Sequence, residues 1–196
     1  MKKRIIVAAI AAICLILSAG ASFAGKKHSK DKSAKDKDVK EYFVAALGGG
    51  NSVDIAIEGY TTNGDMQNFA SLYNQGGEKA LKKALRKAQM GYFKIGGGQN
   101  MPLAIIESTP PGPARRLNMI AIAPAVFTAR YAGDLSARLS DYPYTLIELE
   151  VNSQGKGRGI MYEFVNLTFD QQGRVHVHPM GGQGLRAGLM GVHLAK

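Results

Sequence analysis

His176 and His178 lie two residues apart and share one face if their segment is extended, because side chains alternate along a strand. Two imidazoles on one face can begin a metal site, with Glu163 or His193 completing it. No third ligand has diagnostic spacing, and histidines on the solvent face of an edge strand are ordinary. Glu148 and Glu150 share a face in the same way. Paired carboxylates do acid–base work when burial splits their proton affinities; on an outward face they serve as solubilising charges. Lys79, Lys82, Lys83, Arg86 and Lys87 fall in one helical pattern and form a basic face, a candidate contact for a polyanion or membrane surface. In Asp141-Tyr142-Pro143-Tyr144 an acid and two phenols flank a rigid turn, which also serves as a strand entry fixed by proline.

Other chemistries find little support. The glycine-rich stretches lack the Gly-Lys-Ser/Thr ending of a phosphate loop, and none follows a strand and opens a helix. There is no nucleophile elbow. The chain has no tryptophan, and its aromatics fall at strand core positions, so a stacking platform for bases is not evident. No catalytic residue, cofactor or cofactor site is expected, and nucleic acid is not an expected partner.

The elements that must position these residues follow from periodicity. Val53, Ile55 and Ile57 alternate with polar neighbours, and residues 41–47 are also strand-like; Gly48-Gly49-Gly50-Asn51 between them makes a hairpin. Asp65 caps a helix with Met66, Phe69, Leu72 and Tyr73 on one face. Gln75-Gly76-Gly77 separates it from a second helix over residues 78–90, with Leu81, Ala84, Leu85 and Ala88 inward and Gly91 as its C-terminal cap. Strand patterns resume at residues 92–95, 103–106 and 117–122, with a proline loop at 109–113 and a further short strand at 126–130. Residues 133–142 are a polar connection with room for one helical turn. Residues 144–151, 160–169 and 174–178 form a three-strand meander, with Gly155-Lys156-Gly157-Arg158-Gly159 at a hairpin tip. Residues 181–196 add one irregular strand or trail off. Tyr42-Phe43 and Gly48-Gly49-Gly50 are echoed by Tyr92-Phe93 and Gly96-Gly97-Gly98, a flexible hairpin turn used twice.

The expected fold is α+β: a mainly antiparallel sheet, barrel-like or sandwich, with a helical pair inserted after the first hairpin. Residues 1–24 read as a signal peptide. Met1-Lys2-Lys3-Arg4 is basic, an uncharged apolar run of residues 5–17 follows, and small residues at Ser22 and Ala24 fit a cleavage site. Cys14, the only cysteine, lies inside that run, so the remainder would carry no thiol. Residues 25–40 hold seven lysines and three aspartates with almost no apolar side chain, and read as a disordered linker. Residues 41–196 read as a single β-rich domain. The formal charge of +10 sits mostly in the tails, because this domain has fifteen basic and twelve acidic residues.

The chain resembles a group of uncharacterised exported bacterial proteins. The resemblance is carried by Gly59-Tyr60-Thr61, Gly77 with Leu81 and Leu85, Asp141-Tyr142-Pro143, Ile147-Glu148-Leu149 and the glycine-rich stretch at residues 155–159. It brings no assigned reaction; the signal peptide at residues 1–24 implies a periplasmic or secreted location. The expected role is non-enzymatic, in binding or structure, with an anionic envelope surface as a partner through the Lys-rich linker. One alternative is a carrier with an apolar pocket inside a barrel. Another is a hydrolase in which Glu148, Glu163 and His176 converge.

Overall fold

The computed structural model describes residues 38–110, 113–122, 141–182 and 185–195. The signal peptide, most of the linker, and the strand and helical turn expected across residues 123–140 lie outside the described residues.

Among the described residues, nine strands form one antiparallel sheet. They are β1 (Glu41–Leu47), β2 (Asn51–Ile57), β3 (Gly91–Ile95), β4 (Met101–Ser108), β5 (Arg115–Ala121), β6 (Tyr144–Val151), β7 (Lys156–Phe169), β8 (Val175–Pro179) and β9 (Leu185–Leu194). The order is β6-β5-β4-β3-β2-β1-β9-β7-β8, and β6 also pairs with β7. That last pairing closes eight strands into a barrel, which removes the exposed edges an open sheet would present. β8 stays outside the ring, paired to the C-terminal half of the long β7 from Val165↔Pro179 to Phe169↔Val175. The segment that was to add one irregular strand or trail off is β9, which seats between β1 and β7 and completes the ring.

Alternation puts one set of side chains inside. Phe43, Val53, Ile55, Ile57, Phe93, Leu103, Leu117, Met119, Ile147, Leu149, Met161 and Leu189 belong to one buried cluster, each 3% exposed or less. The two echoed hairpins contribute equivalently, since Phe43 and Phe93 both enter this inner core. A second cluster covers the outside of one wall. Met66, Phe69, Leu81 and Leu85 pack on Ala104, Ile105, Ile120, Leu146, Val165 and Leu167.

Bulges let single strands serve both cores. Between Leu146↔Tyr162 and Tyr144↔Val165, β6 advances two residues and β7 three. The extra residue turns the pleat over. Met161 therefore faces the inner core while Val165 and Leu167 face the outer layer. Phe164 sits in this bulge with a φ of 57°. β4 bulges between Leu103 and Ile105, so Leu103 and Ile106 face inward while Ala104 and Ile105 lie under the helix.

The outer layer is one helical element, α1 (Asn63–Leu85), where a pair was expected. At Gly77 its backbone leaves the helical region (φ 63°, ψ −162°), a conformation essentially restricted to glycine. One residue absorbs the break, and the helix resumes without an intervening loop. Thr62 and Asp65 form a reciprocal capping box: the Thr62 hydroxyl accepts from the Asp65 N–H at 3.1 Å and the Asp65 carboxylate from the Thr62 N–H at 2.9 Å. The cap is thus Thr62, with Asp65 as its partner. The helix ends at Leu85 short of the expected residue 90, and Gly91 is the first residue of β3, not a helix cap.

Candidate functional site

Cross-strand register builds one cleft on the outer face of β5, β6 and β7. Arg116, Glu150 and Arg158 stand in one row, and Asn118, Glu148 and Ile160 in the next. The inward residues Leu117 and Leu149 between them, and Met161 just beyond, belong to the inner core, so the polar set is forced outward. These side chains, with Leu149 and Gly159, line a cleft of about 340 Å³. Arg158 reaches Glu150 at 3.7 Å while remaining 83% exposed. Tyr162, in the third row, stands diagonal to Glu148; burial first, and then the Glu148 carboxylate, push the phenol above its ordinary range.

The meander was legible in the sequence, with Glu148 and Glu150 on the face opposite Ile147, Leu149 and Val151. The hairpin tip is displaced. The turn is built on Asn152, whose Oδ1 accepts from the N–H groups of Gln154 and Lys156, both at 3.0 Å. Lys156 to Gly159 belong to β7 itself. Arg116, Asn118 and Arg158 were not singled out from the sequence. The signal that finds them is their register opposite the two glutamates, which needs the pairing of β5 with β6 across the intervening chain.

Lys79, Lys82 and Lys83 lie on α1, and Arg86 and Lys87 follow directly after its last residue. Leu81 and Leu85 are buried, and Lys79, Lys83, Arg86 and Lys87 are exposed. Lys82 is half-buried and bridges to Glu78 at 2.9 Å.

The histidines keep local company. His176 Nε2 lies 3.3 Å from Asp170 Oδ2, and His178 Nε2 lies 2.7 Å from Thr168 Oγ1. His193 Nδ1 donates to the Gly191 carbonyl at 3.0 Å. Asp170 is held down to about 2: its desolvation is outweighed by the Arg174 backbone and side chain and by His176. Glu163, 3% exposed, alternates with Met161 and faces the barrel interior. It is thereby separated by the wall from Glu148, while the exposed His176, paired to Thr168 on the extension of β7, lies against Asp170. Among the described residues no three His, Cys, Asp or Glu side chains are grouped to hold a metal ion.

A further polar group closes one barrel end. Glu41 and Arg115 extend the inward-facing rows of β1 and β5, four strands apart in the ring. Arg115 Nη1 and Nη2 donate to the two Glu41 oxygens at 2.8 and 3.0 Å, and Nε donates to Ser108 Oγ at 2.8 Å. Tyr60 donates to Glu41, accepts from Arg115, and places its ring centroid 5.5 Å from the guanidinium carbon. Burial works against the Glu41 carboxylate, but Arg115 and Tyr60 together hold it below the usual carboxylate range. Burial and the neighbouring Glu41 push Tyr60 up to about 12. A phenol so shifted stays protonated and serves as a fixed donor, not as a nucleophile.

No helix among the described residues is long and apolar enough to cross a membrane. No protein family model, no curated protein and no solved structure matches the chain.

Proposed function

We propose that the chain is an exported envelope or secreted domain with a non-enzymatic binding role, and that it adheres to a polyanionic surface through the outer face of α1. The observation that carries this reading is the exposed row of Lys79, Lys83, Arg86 and Lys87 over the buried Leu81 and Leu85. At 1.5 Å per residue, the cations from Lys79 to Arg86 extend along about 10 Å of helix. A row of that kind matches the charge repeat of a linear polymer or a lipid headgroup layer better than it matches one small anion. Glu78, the one acidic residue of this stretch, is engaged by Lys82, which leaves the outer row uniformly positive. The lysine-rich residues 26–40 would add to the same attraction. An interior filled by side chains favours a surface role over carriage of an apolar ligand inside the barrel.

The test uses the full chain and a variant with Lys79, Lys83, Arg86 and Lys87 all changed to glutamate. Co-sedimentation with phosphatidylglycerol vesicles, phosphatidylcholine vesicles and insoluble polyphosphate separates lipid from polymer. The expected result is retention on at least one anionic support, falling as salt is raised and lost in the variant. Equal retention of both proteins would assign adhesion elsewhere, and no retention on either anionic support would end the reading.

A further inference from the structure

We infer that the outer cleft of β5, β6 and β7 binds a neutral saccharide through neighbouring hydroxyl groups. Its lining carries two guanidinium groups, Arg116 and Arg158, and two carboxylates, Glu148 and Glu150. The formal charges cancel, so there is no net field to draw in a polyanion or a metal cation. What the cleft does offer is donors and acceptors in alternation: Arg116, Glu150 and Arg158 in one row, Asn118 and Glu148 in the next.

A sugar hydroxyl both donates and accepts, so it is satisfied only where both partner types lie within reach. Guanidinium and carboxylate groups are two-atom forks, suited to a pair of adjacent hydroxyls. Capacity remains for such bonds. A well-formed guanidinium–carboxylate pair closes to about 2.7–2.9 Å, whereas Arg158 and Glu150 stand at 3.7 Å with Arg158 83% exposed. Glu148 has the Tyr162 phenol as its diagonal neighbour in the next row. Ile160 and the Tyr162 ring border the polar rows and supply apolar surface for the C–H face of a sugar ring. Beyond Ile160 its partner in β9 is Gly188, where a side chain would meet nothing within 4 Å. The volume, about 340 Å³, falls at the lower end of small-ligand sites, ~300–1,000 Å³.

Amide chemical-shift titration of the isotope-labelled full chain tests this, with cellobiose, maltose and the N-acetylglucosamine disaccharide as probes and tripolyphosphate as the anionic comparator. At least one disaccharide should give saturable shifts confined to residues 116–118, 148–150 and 158–160, with little dependence on salt. Asn118→Ala and Arg158→Ala should each weaken that binding by roughly tenfold, the loss of one hydrogen bond to a charged or amide group. Both residues are exposed, so the remaining amide shifts should stay in place and report an intact fold. The inference is overturned if none of the three disaccharides gives a saturable shift there, if both variants bind as the parent does, or if tripolyphosphate reproduces the shifts.

Discussion

Replacing Arg115 by methionine should cost the fold about 2–3 kcal/mol, set by its position between two limits. Exposed ion pairs contribute about 0–1 kcal/mol. Removing one partner of a fully buried pair costs about 3–5 kcal/mol, because the other charge is left desolvated. Arg115 and Glu41 are 24% and 19% exposed, so the pair lies between these cases, nearer the buried one. Methionine keeps most of the aliphatic volume and removes both bonds to Glu41 and the one to Ser108. For a domain of this size the loss corresponds to about 4–12 °C in Tm, at roughly 2–4 °C per kcal/mol. Glu41→Gln in the same chain removes the stranded charge while leaving an acceptor for Tyr60, and should return about 1–2 kcal/mol of the loss. The pH dependence adds a second readout. In the parent, the folded-state affinity of Glu41 for a proton lies below its unfolded value. Its contribution is therefore full above the ordinary carboxylate range and is lost as pH falls through the folded value. In Arg115→Met, burial is no longer outweighed, and the carboxyl shifts upward instead. The variant's deficit should then shrink on acidification from about pH 5 to pH 3. Urea unfolding followed by far-UV circular dichroism measures both effects. A cost below about 1 kcal/mol, or a double variant no more stable than the sum of its singles, would refute the view of this pair as a cross-barrel lock.

Gly157→Ala should be among the most damaging single-methyl additions. The new Cβ would stand 1.8 Å from the Glu150 carbonyl oxygen and 2.9 Å from Val151 Cα, both backbone atoms of the paired strand, so a loss of about 3 kcal/mol or more is expected in denaturant unfolding. Gly77→Ala meets no atom within 4 Å yet holds φ at 63° and ψ at −162°; the cost should be about 1–3 kcal/mol from backbone strain alone, and a neutral result would mean that the helix break moves elsewhere. Thr62→Ala removes half of the capping box and should cost about 1 kcal/mol, read as faster hydrogen exchange in the first turn of α1 with the barrel amides unchanged.

Much of the wall was legible because alternation was clean there. Residues 144–151 face as their pattern dictates, with Ile147, Leu149 and Val151 in the inner core and Glu148 and Glu150 outside. The first hairpin, with its triglycine turn, was equally plain. Bulges were the main obstacle. In residues 160–169 the apolar run changes face at Phe164, and a reader following strict alternation assigns Val165 and Leu167 to the inner core. The last strand was hidden for another reason. Leu185–Leu194 contains glycines and exposed apolar side chains, among them Met190 at 72%, and its alternation is broken where Leu189 and Val192 both turn inward around Gly191. Barrel closure is a property of pairings distant in sequence. Nothing local to β9 announces that β1 and β7 will flank it. The cleft was half visible for the same reason: Glu148 and Glu150 share a strand, while Arg116 and Arg158 reach them only through register.

Closure also decides which side of the wall is free to meet a ligand. The inside is occupied by apolar side chains from the barrel strands, with Glu41 and Arg115 engaged with each other at one end. A ligand entering there would have to displace packed groups, and emptying one leucine-sized site alone costs about 2–5 kcal/mol. On the outside, α1 and the valines of β8 cover the wall from Ile105 and Ile120 to Leu146 and Leu167. The rows just beyond that cover, Asn118 with Glu148 and Arg116 with Glu150, carry exposed and half-buried polar side chains open to solvent. A ligand meeting those rows exchanges water for its own hydroxyls at little cost to the core. Binding to such a surface is expected to be weak per contact, since each bond replaces a solvated one and nets only about 0.5–1.5 kcal/mol. A useful affinity therefore requires several such bonds at once, which two adjacent rows of forked side chains are arranged to make.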